Sequence, residues 1–82
     1  MGPLVLVREP GGFRHELSGR PVHAGNGLEL RCADGSWLRG VYEWTFELGD
    51  TPVLQVEGTW GPVVVELRDD AVLRWPARWF GR

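Results

Sequence analysis

The chain has no lysine and no isoleucine, and only one cysteine, one methionine and one asparagine. A lone thiol, Cys32, cannot close an internal disulfide, so a secreted disulfide scaffold is excluded and the bacterial cytoplasm is the expected setting. Long apolar runs are also missing. Leu4, Leu6 and their neighbours stop at Arg8 and Glu9 with no positive segment before them, which fits neither a signal peptide nor a membrane span. Nor is there a basic excess. Nine arginines against eleven acidic residues give a net charge of −2. Indiscriminate binding to nucleic acid or to anionic membrane, which draws on positive charge, is therefore not expected. The use of arginine for every basic position reads as the codon bias of a GC-rich genome, set against the alternative that guanidinium groups were chosen for forked or stacked contacts. At 82 residues the chain makes one domain, because two cores of roughly forty residues each would need disulfides or metal to stand alone.

What is abundant is turn chemistry. Twelve glycines and six prolines cut the sequence into short pieces that favour strands over helices. The pattern predicts a first strand over Leu4 to Arg8, closed by Glu9-Pro10-Gly11-Gly12, where proline presets one turn position and glycine supplies a positive φ at the next. Phe13, His15 and Leu17 share one face of a second strand, and Ser18-Gly19 turns it into Arg20 to His23. After a Gly-rich loop at residues 24–27, Leu28 to Cys32 alternates apolar and charged residues, directing Leu28, Leu30 and Cys32 inward. Asp34-Gly35 is the clearest hairpin turn, and a long strand is expected from Trp37 to Leu48. Leu38, Gly40, Tyr42, Trp44, Phe46 and Leu48 share its inner face, with Gly40 as a bend or bulge. Further strands are expected at Val53 to Glu57, Val63 to Leu67 and Ala71 to Trp75. Val64, Leu67, Ala71 and Trp75 also fit a helical stripe, but three consecutive valines and the Arg68-Asp69-Asp70 break favour strand, turn, strand. Six or seven short antiparallel strands suggest a small closed or nearly closed barrel, since closure removes exposed edges.

Catalysis needs a nucleophile, a base and a group that orients the base. His15 shares its face with Phe13 and Leu17 and reads as a strand residue; His23 sits in a Gly-rich loop, and no serine or cysteine stands in a strained elbow. An enzyme is not expected. His15, His23 and Cys32 have no compact metal-ligand spacing, and Gly25-x-Gly27 lacks the third glycine and helix of a dinucleotide loop, so neither metal nor cofactor is expected. The aromatics say more. Five tryptophans exceed what so thin a core can hold. Tyr42, Trp44, Phe46 and Trp75 read as core plugs, whereas Trp37, Trp60, Trp79 and Phe80 lie in or beside loops and the tail. Trp37, Arg39, Trp60, Arg74, Arg78, Trp79 and Phe80 are thus the candidate binding residues, for an extended peptide or, as the alternative, for bases stacked beside arginine.

Gly19-Arg20-Pro21-Val22-His23-Ala24-Gly25, the Leu28-Glu29-Leu30 strand, Gly35-x-Trp37-x-x-Gly40-x-Tyr42-Glu43-Trp44 and Leu73-Arg74-Trp75-Pro76 together resemble a group of short, uncharacterised, single-domain bacterial proteins. The chain is also broadly similar to SH3-like barrels. The resemblance implies an all-β binding module; its motifs are turn and core residues, and no functional residue transfers with it. The sequence thus predicts a non-enzymatic module for a protein or peptide partner, with nucleic acid as the second reading and a small hydrolase-type enzyme as a remote third. In the tail at residues 76–82, Pro76 and Gly81 bracket a single expected helical turn, with Trp79 and Phe80 either capping the barrel end or contacting a partner.

Overall fold

A computed structural model describes residues 1–76, so the expected helical turn and candidates Arg78, Trp79 and Phe80 lie outside the described residues. Within them the fold is all-β and antiparallel, with eight strands and no helix. The first three are β1 (Val5–Glu9), β2 (Gly12–Leu17) and β3 (Arg20–Val22). Then follow β4 (Gly27–Arg31), β5 (Trp37–Glu43), β6 (Val53–Gly58), β7 (Gly61–Glu66) and the two-residue β8 (Leu73–Arg74). No described helix is long and apolar enough to cross a membrane.

The turns form where their residues allow. Gly11 takes φ 92° after Pro10, and Ser18 and Gly19 take 53° and 80°, the paired left-handed conformations whose twist matches a two-residue hairpin. One sheet has the order β1-β2-β3 and the other β7-β6-β5-β4-β8. They meet through Gly2 and Leu73, which exchange backbone hydrogen bonds of 3.0 and 2.8 Å. Between them Leu17 and Val22 pack with Leu28, Tyr42, Leu54, Leu67 and Leu73, all buried. Phe13 and Leu30 flank this core. The Trp75 indole N–H reaches the Leu17 carbonyl at 2.8 Å, fastening the end of the five-stranded sheet to β2.

Three expectations are corrected. First, the barrel does not close. β5 and β6 pair only at Val41↔Gln55, Tyr42↔Leu54 and Glu43↔Val53, while β6 and β7 stay paired out to Gly58↔Gly61. Beyond Gln55 the β6–β7 hairpin therefore runs on as a two-stranded arm, leaving β7 as an edge. Second, the strand begun at Trp37 stops at Glu43 instead of Leu48. The Trp44 indole donates to the Asp50 carbonyl at 2.8 Å and the Thr45 hydroxyl meets the Asp50 carboxylate at 2.6 Å, drawing the chain into a loop in which Phe46 has φ 65°. Phe46 and Leu48, expected inside, are 41% and 60% exposed. Third, the last strand shrinks to Leu73–Arg74 from the expected Ala71 to Trp75. Residues 63–75 otherwise resolve as strand, turn, strand.

Gly40 is required by close approach. A Cβ there would stand 2.6 Å from both the Gln55 carbonyl oxygen and the Leu54 Cγ.

Candidate interaction surface

Of the predicted contact residues, Trp37, Arg39 and Arg74 come together on the sheet face opposite the core. Strand alternation puts them there: Leu28 and Leu73 turn inward, so Glu29 and its cross-strand neighbours Arg39 and Arg74 turn outward. Glu29 sits between two guanidinium groups, 2.7 Å from Arg74 Nε and 3.6 Å from an Arg39 terminal nitrogen. Arg74 lies 4.0 Å and Arg31 5.4 Å from the centre of the Trp37 ring. The group holds a two-residue strand onto β4 by charge and cation–π attraction. Its tryptophan face and all three of its arginines already have partners within the fold.

Trp60 lies apart, at the tip of the β6–β7 arm, and is 97% exposed. Gly58 and Gly61 flank the tip; a Cβ on Gly58 would meet the Gly61 carbonyl oxygen at 2.8 Å, so the tight crossing needs glycine. Along the arm Val63 and Val64 are 51% and 57% exposed, on opposite faces. The sequence reading missed these valines. The signal was present: three consecutive valines in a strand cannot all face one core.

A second apolar feature is the open groove between β1 and the loop after β5. Leu6 and Leu48 stand on its walls, and His15 and Trp44 reach it from the core. His15 is buried, its Nδ1 2.8 Å from the Tyr42 hydroxyl and its ring 4.3 Å from the Trp44 ring centre. Burial lowers the His15 pKa from its ordinary 6.5 and pushes that of Tyr42 up to about 12. Each is thereby favoured in its neutral form. The pair packs as a core hydrogen bond, since Tyr42 has no exposed surface to offer a substrate.

The other groups with chemical potential are dispersed. Ser36 bonds the Asp34 carboxylate at 2.6 Å, and hydrogen bonds from Ser36 lower the Asp34 pKa. The Cys32 thiol lies 3.8 Å from the Leu30 carbonyl, and His23 is exposed in its loop. Among the described residues no three His, Cys, Asp or Glu side chains gather as a metal site. No family model, curated protein or solved structure matches the chain.

Proposed function

We propose that this chain is a non-enzymatic interaction module of the small SH3-like, bacterial cytoplasmic kind, and that it binds a protein or peptide through the β6–β7 arm. The observation that carries the reading is the arm itself: Trp60 at its tip and Val63 and Val64 along it expose apolar surface that contributes little to the core. A nearly fully exposed tryptophan between two glycines is an anchor waiting for a pocket, the role tryptophan plays at interfaces. The Arg31, Trp37 and Arg74 group supports nucleic-acid binding less well, because base stacking would have to displace guanidinium groups already seated on the ring.

The test is selection of peptides from a displayed random library on immobilised wild-type protein and on the Trp60→Ser variant. Peptides retained by the wild type and lost by the variant are expected. Equal retention by both would refute the arm as the binding surface. Affinity for single-stranded nucleic acid that exceeds peptide affinity and falls steeply with salt would replace this reading with the second one.

A further inference from the structure

The backbone of β7 has a definite polarity across its edge. Antiparallel pairs alternate between those that exchange backbone hydrogen bonds and those that do not. Pro62 has no N–H, so its pair with Glu57 is of the second type, and alternation makes Val64↔Gln55 and Glu66↔Val53 the same. The next step agrees: the Leu67 N–H bonds the Pro52 carbonyl at 2.9 Å, which places the odd-numbered residues in the bonded set. The N–H and C=O groups of Val64 and Glu66 thus point away from β6 toward the open edge. They form the template an added strand uses.

Charge is divided unevenly around this edge. Residues 43–72 contain seven carboxylates and one arginine, a net −6, while the rest of the chain nets +4. That arginine, Arg68, is 3.2 Å from Glu66. On the outward face Glu43, Val53 and Glu66 form one cross-strand row and Glu57 pairs with Pro62. A second copy of the chain suits the edge poorly. Antiparallel pairing of two β7 strands about Val64 sets Pro62 opposite Glu66 of the other copy, in a position that needs the N–H proline lacks. It also brings two strongly acidic faces together.

We propose that the β7 edge takes an extended segment of a different protein as an added strand, one that alternates apolar side chains with arginine or lysine. The proposal rests on the interaction-module reading and names its partner chemistry. Main-chain bonds to Val64 and Glu66 supply register, Val63, Val64 and Trp60 supply apolar contact, and the partner's cations answer Glu57 and Glu66.

The probe is a capped peptide of six residues, the span of β7, alternating arginine and valine, with glutamate–valine and block-ordered arginine–valine peptides beside it. Tryptophan fluorescence, compared between the wild type and Trp60→Ser, and titration calorimetry read binding. The alternating basic peptide is expected to bind at least about tenfold tighter than either control, more weakly as salt rises. Val64→Pro removes an N–H that faces away from β6, so it leaves the hairpin paired and weakens binding about tenfold. Should that variant melt early, the wild-type protein with a peptide N-methylated at alternate residues asks the same question. Glu57→Arg with Glu66→Arg is expected to transfer preference to the glutamate peptide. Equal binding of acidic and basic peptides, or indifference to both backbone blocks, overturns the proposal. If library peptides still depend on Trp60 in that event, the interaction-module reading stands and only the added-strand mechanism falls. Sedimentation that shows a dimer abolished by Val64→Pro would make a second copy the occupant and overturn it too.

Discussion

Replacing Tyr42 by phenylalanine removes one oxygen atom from the centre of the core and leaves its shape intact. The oxygen lies 2.8 Å from His15 Nδ1, and the two rings meet edge to face with centroids 6.1 Å apart. With the tyrosine held protonated to about pH 12 and the imidazole favoured neutral, Nδ1 and the hydroxyl share a hydrogen bond between two uncharged partners. Loss of the bond, together with the nitrogen left unpaired in a buried site, costs about 2 kcal/mol. For a domain of this size that lowers the melting temperature by about 8 to 16 °C. The assay is thermal unfolding followed by circular dichroism above pH 7, on Tyr42→Phe, His15→Phe and the double variant. Because each single change orphans the other partner, the double variant costs well below the sum of the two. Histidine gives an independent arm. Its folded-state pKa is lower than 6.5, so below that pH the unfolded chain binds more protons than the native one. Stability therefore falls as pH drops through 6.5 and levels off once the folded-state value is passed. His15→Phe removes that slope. A melting shift under about 2 °C for Tyr42→Phe, strict additivity, or an unchanged pH slope in His15→Phe would refute the reasoning.

The parts of the fold legible in the sequence are those set by neighbours along the chain. Leu28-Glu29-Leu30-Arg31 alternates because one strand face meets the core, and Ser18-Gly19 turns because both residues accept positive φ. Alternation also placed Phe13, His15 and Leu17 on the inner face of β2. It failed at Phe46, where the period of two continues although the strand has ended. The stop comes from Thr45 and Trp44 bonding Asp50, polar contacts that a hydrophobic pattern does not record. Closure was illegible for a related reason: how far β6 follows β5, which is only to Gln55, is a matter of pairing between residues distant in the sequence. The candidate surface was legible by halves. Residue type marked Trp37, Arg39 and Arg74 as unusual and the structure gathers them, but only tertiary pairing across 45 positions shows Arg74 satisfied by Glu29. For Trp60, flanking glycines alone forecast exposure.

Four further substitutions separate the roles assigned to these residues. Leu28→Ala, at a fully buried position, is expected to cost about 3 to 4 kcal/mol in urea unfolding, and Leu30→Ala, half-buried beside the same core, about 1 to 2; a cost under about 0.5 kcal/mol for both would show β4 to be turned over. Glu29→Gln should cost only about 0.5 to 1 kcal/mol, because Arg39 and Arg74 are partly solvated and water screens the pairs, and that loss should shrink in high salt. Gly40→Ala tests the close approach of β5 and β6. Its new methyl group would come within 2.6 Å of a backbone oxygen on β6 and within 2.6 and 3.0 Å of two Leu54 carbons, and the oxygen cannot swing aside as a long side chain could. Relief requires β5 and β6 to separate next to the short stretch, Val41 to Glu43, along which they pair. Overpacking at such a site costs about 2 to 3 kcal/mol, with hydrogen exchange accelerated in Val53 to Gln55 ahead of β4. A stable Gly40→Ala protein with unchanged exchange in β6 would mean that the two strands do not approach as closely as the geometry requires.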